Sequence, residues 1–248
     1  MNKHKKPLKD DDFGYYLAGL IEGNGHFTIN HNIEISFNIN DASLAYYIKK
    51  RIGYGVIKKI KNNDLTLKYI SNFKGTIIIA KLINGKLRTN KIEYFNLNII
   101  NYINIQFNIP LIIYSKDISN ILDNYWLVGF TDANGSFKIC EYNKNLGFEF
   151  KLKFILFQIN NLILNDLISI FDGYLDFNKK LDIYFFCTSS FNSAKKIINY
   201  FDKYHLLSFK YVLYFKWRKI YRIIQRKEHL TFKGINKIKK IKSIPKGW

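Results

Sequence analysis

The sequence is poor in the residues that build covalent or metal-bound frameworks. Its only cysteines are Cys140 and Cys187, too few for a disulfide scaffold or a zinc site. The five histidines are scattered without ligand spacing. No apolar run is long enough to cross a bilayer, and the basic N-terminus has no apolar stretch typical of a signal peptide. These features argue against secreted, zinc-binding and membrane-spanning classes.

Acidic residues are also scarce, with 19 Asp and Glu against 39 Lys and Arg, which gives a formal charge of +20. Such an excess of one sign indicates a polyanionic partner. Nucleic acid is the first candidate, an anionic membrane surface the second and an incidentally basic surface the third. With 48% apolar and 17% aromatic residues the chain has enough material for a core. The preference for residues with A/T-rich codons points to an organelle genome, and we expect a mitochondrial location.

Two segments of the sequence repeat one pattern. Residues 13–27 read FGYYLAGLIEGNGHF and residues 124–137 read NYWLVGFTDANGSF, which aligns Gly19 with Gly129 at an offset of 110. Residues 37–44 match residues 157–164 at an offset of 120, and Lys91 matches Lys210 at 119. Ordered echoes of this kind indicate a duplication. We expect a flexible lead at 1–12, halves at 13–105 and 123–225, a linker at 106–122 and a basic tail at 226–248.

Each half predicts alternating helices and strands. Residues 33–39 alternate apolar and polar, as in a half-buried strand, and are followed by a helix at 42–51. A hairpin with its tip at 62–64 joins strands at 55–61 and 65–70, and a helix follows at 74–82. The second half repeats this order with strands at 136–142 and 147–158. There Lys151 and Lys153 share parity with Phe157, which predicts a bulge or a loop extension. Glycines after each motif helix suit a C-terminal cap.

The segments LAGLIEGNG (17–25) and LVGFTDANG (127–135) resemble the two copies of the motif that defines single-chain LAGLIDADG homing endonucleases and intron maturases. The resemblance extends over about residues 13–242. It implies an α+β fold of two αββαββα halves, with paired motif helices and a saddle-shaped antiparallel sheet over the DNA major groove. Glycine in both motif helices agrees with close helix pairing. The resemblance implies DNA-contacting residues at Thr28, Asn30, Ser36, Lys58, Lys68, Lys138, Tyr142, Lys151 and Lys153.

The resemblance also implies a catalytic site at the helix ends. In similar enzymes the eighth letter of each motif is an acid that binds Mg²⁺, but here these letters are Asn24 and Asn134. Backbone carbonyls of Gly23 and Ala133 would complete the metal site, with Ca²⁺ as an alternative ion in a crystal. Mg²⁺ prefers carboxylates, and the sixth-letter acids Glu22 and Asp132 point elsewhere on a helix. The supporting residues implied by the resemblance are Lys91, Lys210, Asn38 and Gln158.

The sequence therefore predicts a monomer that binds one double-stranded DNA site, needs no protein partner and cuts inefficiently. One alternative is an RNA-binding maturase that assists folding of a group I intron, for which nuclease acids are dispensable. Another is a transcriptional or structural DNA-binding protein, which gives no reason to keep Lys91 and Lys210.

Overall fold

The computed structural model describes residues 4–61, 65–144, 147–188 and 190–243 and divides into two compact units. Unit 1 holds residues up to 134 together with 204–208, and unit 2 holds 135–203 and 209 onward. The helices are α1 Asp10–Asn24, α2 Ala42–Ile52, α3 Phe73–Ile83, α4 Lys91–Phe95, α5 Asn101–Phe107, α6 Trp126–Asn134, α7 Leu162–Phe171, α8 Phe191–Lys203, α9 Lys210–Gln225 and α10 Phe232–Ser243. The strands are β1 Gly25–Phe27, β2 Ile33–Asn38, β3 Val56–Lys61, β4 Leu65–Ile70, β5 Gly135–Lys144, β6 Gly147–Gln158, β7 Tyr174–Asn178 and β8 Ile183–Thr188.

Both repeats follow the order αββαββα, from α1 to α3 and from α6 to α8, so the predicted α+β fold is confirmed. The strands form two four-stranded antiparallel sheets with the orders β1-β2-β4-β3 and β5-β6-β8-β7. The hairpin strands predicted at 55–61 and 65–70 are present as β3 and β4, with β3 beginning one residue later, and the tip at 62–64 lies outside the described residues.

The alternation predicted for β2 is confirmed by burial in unit 1. Ile33, Ile35 and Phe37 are buried, whereas Glu34 and Ser36 are half-buried and Asn38 is exposed. Because successive side chains leave a strand on opposite faces, the apolar set packs under the helices and the polar set lies on the outward face. The sheet of unit 1 therefore turns its polar side chains away from the core.

Helix α1 is almost entirely buried after its acidic first turn, where Asp10 to Asp12 complement the positive end of the helix dipole. At its C-terminus Gly25 is the cap, as predicted, and its backbone N–H donates to Ile21 O. Gly25 has φ −111° and ψ 169°, an extended conformation that starts β1 directly. A Cβ at this position would meet Ile21 Cα at 2.9 Å and Glu34 O at 3.0 Å, so glycine is needed here for close packing.

Polar side chains fix the two segments predicted as lead and linker in unit 1. Arg51 donates to the carbonyls of Pro7 (2.7 Å) and Leu8 (2.6 Å). After α5, Asn104 donates to Leu111 O and accepts from Leu111 N, at 2.9 and 2.8 Å. Residues 4–9 and 108–120 thus follow defined paths, although no regular helix or strand forms in them before the short turn at Ile121–Asp123.

The bulge predicted in the first hairpin of unit 2 is wrong. Register continues without a break from Gly135↔Leu156 to Lys144↔Gly147. Lys151, Lys153 and Phe157 therefore share the outward face, opposite the buried Phe154 and Leu156. The mixed pattern reflects an outward face that carries both lysines and aromatic rings.

The basic tail predicted at 226–248 contains the helix α10 in unit 2. Ile238 is fully buried, and residues 244–248 lie outside the described part. Lys242 donates to Glu141 Oε2 at 2.6 Å and, with the nearby Lys239, lowers the pKa of Glu141. Within the described ranges, no helix combines the length and the apolar character needed to cross a bilayer.

Candidate helix-end site and nucleic-acid interface

The two motif helices, α1 and α6, pack together inside unit 1 at their glycines. A Cβ on Gly19 would overlap the carbonyl oxygen of Trp126, and a Cβ on Gly129 would overlap that of Tyr16. The contact is reciprocal, because Gly19 and Gly129 are separated by the same 110 positions as Tyr16 and Trp126. Backbone against backbone is the closest packing that two helices can reach, and it explains why glycine stands at the same letter of both motifs.

This packing brings together the four residues predicted at the metal site. The Asn24 amide nitrogen lies 3.5 Å from Ala133 O, and the Asn134 amide nitrogen lies 3.4 Å from Gly23 O. Each asparagine therefore donates a long hydrogen bond to the backbone of the opposite helix.

The donor set does not fit a strong Mg²⁺ site. Mg²⁺ takes oxygen ligands and favours carboxylates, but Asn24 and Asn134 carry no charge and turn N–H groups toward the two carbonyls. Among the residues that the structure describes, no group of three or more His, Cys, Asp and Glu side chains is placed to hold a metal ion. No reaction step through a metal follows from these residues.

The sixth-letter acid of the first motif is a buried hub. Glu22 has no exposed surface and accepts hydrogen bonds from Arg88 N (2.9 Å), Thr89 N (2.5 Å) and Trp126 Nε1 (2.6 Å). Burial raises the pKa of Glu22 above its usual value, and the N–H donors partly offset that rise. Glu22 therefore has a structural role, because it holds the backbone at Arg88 and Thr89 and the Trp126 ring against α1.

Asp132 is the matching hub of the second motif. It accepts from Tyr16 Oη (3.0 Å), Leu207 N (2.8 Å) and Ser208 Oγ (2.5 Å), all within unit 1. Each acid thus ties the aromatic residue of the other helix to the loop that precedes Lys91 or Lys210. Tyr16 and Trp126 are 110 positions apart, which is the offset between the two motifs. The two loops are 119 positions apart, which is the offset between Lys91 and Lys210. Both groups of contacts could therefore have been expected from the repeat.

Lys91 caps the C-terminal end of α1. Its Nζ donates to Ile21 O at 3.0 Å and to Gly25 O at 2.6 Å. Burial lowers the pKa of Lys91 to about 8, against the opposing attraction of Glu22. A cation at a helix C-terminus satisfies the last carbonyls and complements the dipole. Lys210 has the equivalent place in the chain, as the first residue of α9.

The outward face of the sheet in unit 1 holds three of the predicted DNA contacts in one row. Ser36 pairs with Lys68, and Lys68 pairs with Lys58 across β2, β4 and β3. Thr28 and Asn30 are not on this strand face as predicted, because β1 ends at Phe27 and both lie in the following turn. The Thr28 hydroxyl is used there, donating to Asn32 O at 3.2 Å.

An ionic cluster that the sequence interpretation missed lies on the same face. Glu34 Oε2 is 2.8 Å from Lys68 Nζ and 3.2 Å from His26 Nε2. His26 and Glu34 face each other in the β1–β2 register. The cluster could have been expected from the sequence, because His26 and Glu34 alternate with buried residues along their strands and therefore lie on the outward face with Ser36.

In unit 2 the predicted contacts follow the long hairpin. Lys138 pairs with Lys153, Lys151 pairs with Cys140, and the Lys151 amine lies 5.4 Å from the ring centre of Tyr142. These side chains share one outward face, which makes the hairpin a basic arm with an exposed tyrosine.

The predicted equivalence of Asn38 and Gln158 is wrong by one residue. Ile33 N donates to Ser71 Oγ, and Phe154 N makes the same bond with Thr188 Oγ1, so β2 matches β6 at an offset of 121. Gln158 then has the strand parity of the buried Phe154, whereas Asn38 is exposed and caps the next turn by accepting from Asn40 N. By the same register, Phe157 is the structural counterpart of Ser36.

The duplicated αββαββα order and the packing of the two motif helices at their glycines define a class of protein. Comparisons with known proteins identify that class. The family model described as LAGLIDADG endonuclease matches residues 127–221. An uncharacterized cox1 intron-2 protein of Schizosaccharomyces pombe is 44% identical over 239 residues, covering 96% of this chain and 74% of its own. The chain belongs to the LAGLIDADG endonuclease family.

Two further relatives carry more specific names. A probable intron-encoded endonuclease 4 of Neurospora crassa is 33% identical, with 90% of this chain and 42% of its own length covered. The intron-encoded RNA maturase bI4 of Saccharomyces cerevisiae is 27% identical, with 88% and 38% covered. The chain thus spans less than half the length of these two relatives.

Solved structures share the fold. I-SmaMI bound to an uncleaveable DNA superposes with a TM-score of 0.74 at 22% identity, covering 92% of this chain and 97% of that one. The same protein bound to an uncleaved DNA target with calcium ions gives 0.71 at 23%, with 92% and 97% covered.

Proposed function

We propose that this chain binds a long double-stranded DNA site and does not cut it efficiently, because Asn24 and Asn134 stand where the motif would supply metal-binding acids. The observation that carries the proposal is the reciprocal approach of each amide to the opposite carbonyl, at 3.5 and 3.4 Å. The net charge of +20 and two sheets with outward lysines support a polyanionic partner. The cox1 intron relative supports a mitochondrial location.

The electrostatic argument is one of missing charge. Two carboxylates at this point would attract a divalent cation, and their loss costs on the order of several kcal/mol of metal binding even at a screened dielectric. Glu22 and Asp132 do not replace them, since both are buried and already accept three donors. The remaining fold keeps the binding surface while losing the group that would bring Mg²⁺ to the phosphates.

The test compares the wild-type chain with Asn24→Asp, Asn134→Asp and the double variant. A binding site is first selected from a randomised duplex pool, and cleavage is then measured in Mg²⁺ and in EDTA. We expect wild type to bind and leave the duplex intact, and the double variant to cut both strands in Mg²⁺ only. Efficient cutting by wild type, or tight binding without cutting by the double variant, would contradict the proposal.

A control follows from the geometry of the amide pair. Without metal, the two carboxylates of the double variant would face backbone carbonyls, so its melting temperature should fall below wild type in EDTA and recover in Mg²⁺. The matched double variant Asn40→Asp/Asn160→Asp adds the same two charges at exposed positions and should show neither effect.

A second candidate function is assistance to intron RNA folding, which the similarity to the RNA maturase bI4 favours. Gel shifts with the selected duplex and with a structured group I intron RNA separate the two. If the intron RNA binds and no duplex is selected above background, the DNA proposal is wrong and the maturase function is supported. In either case affinity should fall steeply with salt, by about 0.9 log units per phosphate contact on duplex DNA for each tenfold rise.

A further inference from the structure

We infer that the two outward sheet faces read different base chemistry, so that unit 1 selects G·C pairs around its row of Ser36 and Lys68, and unit 2 selects A·T pairs along its row of Phe157 and Phe185. The inference rests on the proposed DNA-binding function and deepens it. Its starting point is the register that makes the two sheets comparable position by position.

The row compared in each sheet, called the inner row, starts one residue beyond the strand partner of the motif's last glycine. Gly25 pairs with Ile35 and Gly135 with Leu156, so the next outward residues are Ser36 and Phe157. Across each sheet, Ser36 continues to Lys68 and Lys58, whereas Phe157 continues to Phe185 and Asp176. Equivalent positions therefore carry a hydroxyl and two amines in unit 1 but two phenyl rings and one carboxylate in unit 2.

In unit 1 a carboxylate lies among the lysines. Glu34 is held between Lys68 (2.8 Å) and His26 (3.2 Å), which fixes its direction before any ligand arrives. A carboxylate is repelled by phosphates, so a position on a DNA-binding face favours a base edge. In the major groove Glu accepts from the cytosine amine, and Lys donates to guanine O6 and N7. The neighbouring pair Glu34 and Lys68 thus carries complementary groups for a G·C pair.

In unit 2 the inner row has no comparable pair of a lysine and a carboxylate, and its one carboxylate, Asp176, already accepts from Phe177 N at 2.8 Å. Phe157 and Phe185 are both partly exposed, and their ring centres are 6.3 Å apart. A phenyl ring neither donates to guanine nor accepts from cytosine. It makes apolar contact with the thymine methyl group, the one apolar feature that a base pair presents in the major groove. The outward row of unit 2 is therefore suited to A·T pairs, with the basic arm Lys138, Lys151 and Lys153 farther along the hairpin.

The experiment is site selection from a randomised duplex pool with sequencing of the bound fraction. Glu34→Gln is nearly isosteric and half-buried, and glutamine pairs with adenine. We expect one column of the site to lose its preference for C by about tenfold or more and gain A, with the other columns unchanged. The reciprocal variant Phe157→Ser/Phe185→Lys should move an A·T column of the other half-site toward G·C.

The matched control is Phe177→Ser, which removes a 37% exposed ring from the same sheet at a position of opposite strand parity. It should leave every column unchanged. The inference is overturned if wild type selects a clear site but neither outward variant alters a single column, or if both alter all columns equally. The inference would also be overturned if the wild-type chain bound single-stranded DNA more tightly than duplex DNA and this preference depended on Phe157 and Phe185. If wild type selects no duplex site, the proposed function itself fails.

Discussion

The two repeats are alike where their motif helices meet and unlike where they face outward. Around the helices every role has a counterpart: Gly19 and Gly129, Tyr16 and Trp126, Glu22 and Asp132. On the outward faces the counterparts Ser36 and Phe157, or Lys68 and Phe185, share no chemistry. Duplication therefore preserved the contacts that hold the helix ends together and left the ligand-facing rows free to diverge.

This difference separates two physical requirements. A backbone contact between helices tolerates no extra atom, so the same letter recurs in both motifs. Under the proposed function, a row that reads bases must match one DNA sequence, and an asymmetric target would demand different side chains in each half. The following predictions test how far the likeness and the difference extend.

The largest effect is expected for the helix contact. Gly19→Ala and Gly129→Ala each place a Cβ into a backbone carbonyl of the other helix, and each should lower the free energy of unfolding by about 3 kcal/mol or more. Urea unfolding measures this. Gly75→Ala is the control, because its Cβ meets neighbours at 3.3 Å and only small shifts are needed. A loss for one glycine but not the other would break the likeness of the two helices.

Lys91 should make stability depend on alkaline pH. Burial lowers its pKa from 10.5 to about 8, so between these values the folded chain binds fewer protons than the unfolded chain. Stability therefore rises with pH from about 8 to 10.5, and this contribution is lost as pH falls through 8. The gain is up to about 3 kcal/mol relative to Lys91→Met.

The measurement is urea unfolding of wild type and Lys91→Met from pH 7 to 10.5. Parallel curves would show that the amine is not desolvated as described. Lys210→Met tests the counterpart. If the stability difference between wild type and Lys210→Met grows with pH as it does for Lys91→Met, the two lysines are equivalent. If that difference is constant with pH, the equivalence of the halves does not include the lysines.

Much of the fold could be predicted from the sequence, because side chains that alternate between the core and the surface of a strand produce alternating apolar and polar residues. The strand at Ile33–Asn38 and the helix at Ala42–Ile52 follow from alternation and spacing alone. The approach of Asn24 to the opposite helix could also be expected from duplicated glycines. In each case the signal is a pattern of neighbouring residues or a motif that occurs twice in the chain.

The remaining features depend on register between distant strands. The echo at offset 120 aligned Phe37 with Phe157, yet Phe37 is buried under the helices and Phe157 faces outward. Only the cross-strand pairs reveal the extra residue. Likewise, no local pattern shows that the Lys91 amine reaches the carbonyls of Ile21 and Gly25, 70 and 66 positions away.

A smaller effect is expected for the crosswise hydrogen bonds of the hubs. Tyr16→Phe removes the hydroxyl that donates to Asp132 Oδ2 and should cost about 1.5–3 kcal/mol, the usual range for a bond to a charged group. Trp126→Phe removes the matching donor to Glu22 and should cost at least as much, since it also leaves a cavity. Tyr46→Phe, with its side chain 57% exposed, should be neutral in the same thermal unfolding series. A neutral Tyr16→Phe would mean that the remaining donors, among them Leu207 N and Ser208 Oγ, are enough to satisfy Asp132.

The smallest effect concerns a clasp in unit 2, the ion pair between Glu141 on β5 and Lys242 on α10. An ion pair this accessible contributes less than about 1 kcal/mol, so Glu141→Gln should barely change the melting temperature at neutral pH. Because Lys242 lowers the pKa of Glu141, the small gain exists above the ordinary carboxyl pKa and disappears as pH falls through the lowered value. Hydrogen exchange of α10 amides is the sensitive measurement: Glu141→Gln should speed exchange in α10 and leave α5 unchanged, whereas Glu93→Gln on α4 should affect neither. Unchanged exchange in α10 would show that the buried Ile238, and not the clasp, holds the tail in place.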